Sequence, residues 1–348
     1  MAKLLDSTQI AVIGAGTMGA DIAALFAAHG HAVHVVARAG SSYDSLPQRV
    51  AASAAQIGKG GAEIRLHMAT GLEALPWQHI GLVIESLKED LPLKQKLFAD
   101  LERIAPADTV LSSNSSGYPI SAIGEGLSTQ SRMLGLHFFM PAHLVPCVEV
   151  VLSEYTDPVI ARGVYDLMAS LGSESVWVKR DIPGFLANRL QHALMREAWS
   201  LIDRGIASPE DVDRVVRYGF GFRYVAAGPV LQKEISGLDV NCAASAIVYP
   251  DLCNDSGPPP VLTDRVARGE IGMKTGKGFW TWTPQQATAE KARYAEDLKA
   301  TLKILDKRRK AGKRLWQEVK AISPASGRRR RYGTSAPGTA GYASRDCG

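Results

Sequence analysis

The sequence predicts an α/β fold: a doubly wound, mainly parallel sheet followed by an all-helical C-terminal domain. Three observations point to it. A short apolar strand, Ile10-Ala-Val-Ile13, runs directly into a glycine-rich turn and then an apolar helical stripe. Strand-like and helix-like segments alternate as far as about residue 180, the pattern of a parallel sheet covered on both faces. From Pro183 onward the pattern changes to nearly continuous helix.

The turn after the first strand reads Gly14-Ala-Gly16-Thr17-Met18-Gly19, and Met18, Ile22, Leu25 and Phe26 follow at helical spacing, with Gly30 as a left-handed cap. Ala32 to Ala37 is the next strand. Strand, glycine turn, helix and strand in this order form a Rossmann dinucleotide-binding unit. The first glycine permits the tight turn, the second lets backbone approach a pyrophosphate, and the third lets helix pack on strand. Gly14, Gly16, Thr17, Met18 and Gly19 are therefore candidate cofactor contacts.

Pro47 to Ile57 offers one short helix, and further strands are expected at Leu82–Ile84, Thr109–Leu111 and Met133–Leu136. Between the first two of these, Asp90 caps a helix with Pro92 in its first turn and Leu93, Leu97, Leu101 and Ile104 as its buried stripe. Asp157-Pro158 starts a helix with Ile160, Val164, Leu167 and Leu171 inward and Gly172 as its stop, and Ser175 to Lys179 is a last strand. The sheet domain is thus placed at residues 1–181.

The helical domain, 182–321, starts with Phe185 to Arg204 before Gly205, continues with Ser208-Pro-Glu-Asp as an N-cap and acidic first turn, and then Leu238 to Ile247. Asn254 to Pro260 is a proline-rich loop, Gly276 to Trp282 a glycine and aromatic turn, and Ala287 to Lys320 a charged helix. Residues 322–348 are rich in Gly, Ser, Pro and Arg, and are expected to form a disordered basic tail.

At 348 residues the chain exceeds what one core usually serves. Its hydrophobic fraction is 46%, but no run approaches the roughly 18 apolar residues of a membrane helix, so a cytoplasmic protein without a membrane partner is expected. Cys147, Cys242, Cys253 and Cys347 lack the spacing of a zinc site or disulfide scaffold, and no metal is expected. The net charge of +5 owes much to Arg328–Arg331 and the run from Lys303 to Arg314. Charge therefore describes the tail, and nucleic acid is not an expected partner.

Downstream of the glycine turn, His137-Phe-Phe-Met-Pro-Ala-His-Leu-Val-Pro-Cys-Val-Glu149 places a carboxylate twelve residues after a histidine. Oxidising a secondary alcohol removes a weakly acidic proton as hydride departs, and histidine is the side chain that titrates near neutrality. A carboxylate such as Glu149 can fix its tautomer and stabilise the cation that forms. His29, His31 and His34 belong to the far edge of the nucleotide unit, with solvated or packed roles. His143 stays open as a rival base.

Several motifs in one order carry a resemblance: Gly14 to Gly19, Leu82-Val-Ile-Glu-Ser-Leu-Lys-Glu-Asp-Leu-Pro-Leu-Lys94, Ser113-Asn-Ser-Ser116, His137-Phe-Phe-Met-Pro141, Val148-Glu-Val150, Pro183-Gly-Phe-Leu-Ala-Asn-Arg189, Gly228-Pro229 and Lys274-Thr-Gly-Lys-Gly-Phe279. Over residues 8 to 282 the chain resembles the 3-hydroxyacyl-CoA dehydrogenase family. The resemblance implies an active site in the cleft between a nucleotide-binding domain and a helical domain that builds a homodimer. It implies a small-molecule hydroxyacyl or hydroxy-acid substrate. His137 would be the base and Glu149 its partner, Ser116 and Asn188 would hydrogen-bond the reacting oxygens, and Glu89, Lys94 and Lys274 would line the nicotinamide ribose region.

Three departures qualify it. The acidic residue expected at the end of the second strand is Ala37, followed by Arg38, Ser41 and Ser42, which favours NADP over NAD because a guanidinium with hydroxyls can bind a 2′-phosphate. The alternative is that Arg38 stacks on the adenine of NAD. The segment from Ala37 to Glu85 is too short for the family's CoA-covering hairpin, so a smaller hydroxy acid competes with a CoA ester; similar dehydrogenases act on carnitine, gulonate or pyridine carboxylates. Met140 stands where the family has an asparagine that contacts cofactor, and a thioether cannot replace an amide's donor and acceptor. Met140 is also the best argument for a rival of another class, a dinucleotide-binding protein without turnover. Glu234 in place of Asp keeps its charge.

Overall fold

The computed structural model describes residues 8–58 and 63–322. Among the described residues the strands are β1 (Gln9–Ile13), β2 (Val33–Val36), β3 (Leu66–Ala69), β4 (Ile80–Glu85), β5 (Val110–Ser113), β6 (Met133–Phe138), β7 (Cys147–Val151) and β8 (Glu174–Val178). They form one sheet in the order β3-β2-β1-β4-β5-β6-β7-β8. All pairings are parallel except β6 with β7. The central strands β1 and β4 are almost wholly buried, as expected where helices cover both faces.

The strand order reverses between β1 and β4, so their C-terminal ends, Ile13 and Glu85, flank the crevice where such sheets bind ligands. Helix α1 (Thr17–Ala28) lies against the sheet with Ile22, Ala23, Leu25 and Phe26 in the core, and ends at Gly30, whose φ of 89° is left-handed. After α2 (Ser41–Asp44), α3 (Leu46–Gln56) packs on α1 through Leu46, Val50 and Ala54.

Helix α4 (Leu91–Ile104) is capped by the Asp90 carboxylate, which accepts a hydrogen bond from the Leu93 N–H at 3.1 Å. Its inner face differs from the expected stripe. Lys94, Leu97, Phe98 and Leu101 are buried, while Leu93 is half-buried and Ile104 is 37% exposed. A lysine takes the inward position because two carboxylates wait for it there. After α5 (Ile120–Ile123), Asp157 caps α6 (Pro158–Ser170), accepting from Val159 N–H at 2.8 Å, and Gly172 stops it at a φ of 84°.

Strand β3 was not expected. It is an edge strand with little apolar alternation, and His67 stacks on His34 of β2 with ring centroids 4.6 Å apart. Burial, followed by the neighbouring His67 charge, lowers the His34 pKa to about 4. His31 is buried with Nδ1 3.0 Å from the Thr8 carbonyl oxygen, so these histidines are packed as expected.

The helical region comprises α7 (Ala187–Asp203), α8 (Pro209–Val215), α9 (Pro229–Ser236), α10 (Leu238–Val248), α11 (Pro260–Ala267) and α12 (Pro284–Ile322). Ser208 caps α8 by accepting from Asp211 N–H at 3.1 Å. Helix α7 begins two residues later than expected because Gly184 and Phe185 both have positive φ, 74° and 50°. The basic tail at 323–348 lies outside the described residues. No helix among the described residues is long and apolar enough to cross a membrane.

Candidate active site

The glycine turn is built as its sequence requires. Gly14 has a φ of 119°, and a Cβ there would lie 2.5 Å from the Ser86 carbonyl oxygen. A Cβ on Gly19 would run into the Gly14 carbonyl, whereas Gly16 faces open space. Gly16 and Thr17 are exposed at the start of α1, no side chain caps that end, and Met18 packs against the core. The first backbone N–H groups of α1 are thus left for an anion, which fits a dinucleotide pyrophosphate.

Arg38 is exposed past the end of β2. A second cation, Arg49 of α3, was not singled out from sequence. Its guanidinium donates to the carbonyls of Ala15, in the glycine turn, and of Ser42, the latter at 2.8 Å. A lone arginine in a short polar helix carries no signal of that reach.

Beyond β4 lies a buried charge cluster. The Lys94 ammonium donates to both Glu85 oxygens at 2.7 and 2.9 Å and sits 3.3 Å from Glu89. Glu85 also accepts from Ser113 Oγ at 2.5 Å and Leu87 N–H at 2.6 Å. Lys94 and Glu85 side chains are 1% and 0% exposed. Lys94, expected to line the nicotinamide ribose region, has its ammonium held by the Glu85 and Glu89 carboxylates. Glu89 remains 40% exposed, and its Oε1 accepts from Ser115 Oγ and from the N–H groups of Ser116 and Gly117 at 2.6, 2.9 and 2.8 Å. Burial alone would raise the Glu89 pKa, but these bonds and Lys94 together lower it. Glu89 thereby fixes the loop that carries Ser116.

The antiparallel register of β6 and β7 puts His137 directly opposite Glu149. His137 Nδ1 lies 2.8 Å from Glu149 Oε2, and its Nε2 lies 3.1 Å from Ser116 Oγ. The other carboxylate oxygen accepts the N–H groups of Leu186 and Ala187, at 3.1 and 2.9 Å, from the start of α7. That helix end favours the negative charge. The left-handed turn at Gly184-Phe185 directs those two N–H groups, and the Phe185 ring is 5.7 Å from the imidazole. Such a backbone at a non-glycine residue costs on the order of 1–3 kcal/mol. Nothing in the sequence marks Phe185 for it except the preceding Pro-Gly.

Asn188, one residue further into α7, donates from Nδ2 to the Ser116 carbonyl at 3.0 Å. His137, Glu149, Ser116 and Asn188 are therefore brought together. His143 is not: its Nδ1 is 3.0 Å from Asp21 of α1 and its Nε2 is 3.1 Å from Gln56 of α3, so it is no rival base. Met140 is 68% exposed on the loop after β6. Lys274 is exposed in the turn before α12, and among the described residues no hydrogen bond or ion pair links it to the other site residues.

An imidazole with one nitrogen fixed by a carboxylate and the other facing a hydroxyl, on the same sheet as a dinucleotide-type glycine turn, fits the class of nicotinamide-dependent oxidoreductases. The sequence matches the 3-hydroxyacyl-CoA dehydrogenase NAD binding domain over residues 9–182 and the C-terminal domain of the same enzymes over 184–282. The chain belongs to the 3-hydroxyacyl-CoA dehydrogenase family. It is 34% identical to 5-formyl-3-hydroxy-2-methylpyridine 4-carboxylate 5-dehydrogenase of Mesorhizobium japonicum, over 86% of this chain and 99% of that one. It is 33% identical to the human mitochondrial hydroxyacyl-coenzyme A dehydrogenase, over 81% of this chain and 93% of that one. A solved structure of a 5-formyl-3-hydroxy-2-methylpyridine 4-carboxylic acid 5-dehydrogenase, described as an NAD+ dependent dismutase, superimposes with a TM-score of 0.80 at 30% identity, covering 86% of this chain and 99% of that one.

Proposed function

We propose that the protein is a dehydrogenase that oxidises an alcohol carbon of a small CoA-free molecule, with His137 as the proton acceptor. The observation that carries this reading is the hydrogen-bonded line Glu149–His137–Ser116, at 2.8 and 3.1 Å. A bound nicotinamide supplies the hydride acceptor. Glu149 keeps the imidazole proton on Nδ1, so Nε2 presents a lone pair toward the substrate hydroxyl and takes its proton. Ser116 and Asn188 hold the oxygen as it becomes a carbonyl, and in the reverse direction the imidazolium returns the proton. Gly14, Gly16, Thr17 and Gly19 cradle the pyrophosphate, and Met18 reaches it through backbone alone.

The packing of α3 on α1 supports a substrate smaller than a CoA ester, because among the described residues no free helical arm follows β2 to cover CoA. The similarity to a pyridine-carboxylate dehydrogenase over nearly its whole length points the same way. Arg38 and Arg49 beside the glycine turn, with no acid at Ala37, favour NADP over NAD. We assign the domain division to residues 1–181 and 182–321.

An absorbance assay at the nicotinamide band tests the reading. Purified protein with NADP+ or NAD+ is expected to turn over free hydroxy acids or hydroxymethyl aromatic acids faster than matching 3-hydroxyacyl-CoA esters. Cofactor binding without turnover of any of them would favour the non-catalytic alternative.

The helical region exposes Ile206, Val230, Leu231, Ile235, Val240 and Ile247, each more than half exposed. An isolated soluble domain rarely leaves so much apolar surface uncovered. A homodimer through this region is our reading, and sedimentation at twice the chain mass is the expected result; a monomer at micromolar concentration contradicts it.

A further inference from the structure

A cavity of about 640 Å³ opens beside the site, between one face of α7 and the proline-rich loop 255–259. That is within the size range of small-ligand pockets. Asn188, His192, Arg196 and Trp199 recur at helical spacing along its α7 wall, and Arg189 adds a second guanidinium. Leu186, Leu190 and Leu194 fall on the opposite side of the helix, so the exposed apolar stripe and the basic wall are separate surfaces.

Two arginines and a histidine face a single acid in this wall, Asp255. Among the described residues neither Arg189 nor Arg196 is ion-paired; the Arg189 guanidinium donates to the Pro183 carbonyl, at 3.3 Å. The Trp199 floor is held flat, stacked on Phe279 at 5.2 Å with Arg265 over the far ring at 4.0 Å from its centroid. The cavity also connects to the chemistry. Asn188 bonds the Ser116 backbone at 3.0 Å, and the Ser116 hydroxyl meets His137 at 3.1 Å. Asn188 therefore belongs both to the cavity wall and to the hydrogen-bonded line that reaches His137.

We propose that this cavity is the recognition site for a carboxylate on the substrate, with Arg189, Arg196 and His192 as the anion-binding groups and Trp199 as the surface for a flat ring or short chain. Arginine suits the task because its planar fork matches both oxygens of a carboxylate. The proposal rests on the dehydrogenase reading of the same site and deepens it: the substrate is an acid, and its carboxylate lies along α7, away from the glycine turn.

Calorimetry on the full-length protein with two near-isosteric probes tests it. Pyridine-4-carboxylate is expected to bind at millimolar concentration or below, and neutral pyridine-4-carboxamide at least about tenfold more weakly, the discrimination a charge-assisted contact gives. Arg189→Gln with Arg196→Gln should weaken the acid by about tenfold or more, and Arg196→Lys alone, which keeps the charge but loses the planar fork, should weaken it by less. Binding of the reduced nicotinamide cofactor, followed by its fluorescence, should not change in these variants, which also shows that they fold. Equal affinity for the two probes, no detectable binding of the acid, or an unchanged affinity in the double variant overturns the proposal. A failure of the dehydrogenase reading would look different: the acid would still bind, and discriminate against the amide, in a protein with no turnover.

Discussion

Replacing His137 with glutamine lowers turnover by about a hundredfold to ten-thousandfold and leaves cofactor affinity unchanged, as steady-state kcat and nicotinamide fluorescence titration will show. Glutamine has similar reach, so its amide can still bridge Glu149 and Ser116. It cannot take up a proton at neutral pH. The loss therefore isolates proton transfer from positioning. Cofactor binding should survive because the glycine turn and α1 belong to β1, whereas His137 is on β6 across the crevice. The ring is 2% exposed, yet the substitution leaves no orphaned charge beyond Glu149, which keeps two backbone N–H donors.

Replacing Lys94 with methionine destabilises the protein by about 3–5 kcal/mol, because it strands the wholly buried Glu85 carboxylate without its counter-ion. Methionine fills the volume of the stem, so lost packing is not the cause. A urea-unfolding midpoint will read the change, and Lys94→Met combined with Glu85→Gln should recover much of it. The neutral amide can keep its oxygen on Leu87 N–H and donate from its NH2 to Ser113 Oγ, whose own hydroxyl hydrogen turns away. Activity should not recover to the same extent in the double variant, because Glu89 also loses its lysine and with it part of the hold on the Ser116 loop.

Much of this was legible because it is local. The glycine turn, the Asp90 and Asp157 caps and the Gly30 and Gly172 stops each depend on one residue's backbone preference, and each took the expected form. The partnership of His137 with Glu149 was legible from its surrounding motifs, although spacing alone did not show that β7 turns back antiparallel and sets the two side by side. What escaped depends on distant partners. The resemblance places Lys94 at the cofactor, but its burial among leucines depends on Glu85, which meets it from another element. His143 looked like a cleft residue by proximity to His137, but its neighbours come from α1 and α3, far back in the chain. Arg49 reaches the glycine turn only because α3 folds onto α1. The left-handed Phe185 is held there by the bonds its neighbours make to Glu149, a tertiary cause that no residue preference announces.

The most direct test of the proton-relay claim is a single-turnover measurement at the nicotinamide band, with enzyme in excess, a substrate that the wild-type protein oxidises, and saturating cofactor. The wild type should reduce one equivalent of cofactor in a burst that His137→Gln lacks although it binds the same cofactor equally well. A burst of wild-type rate in His137→Gln would contradict the assignment of His137 as the proton acceptor.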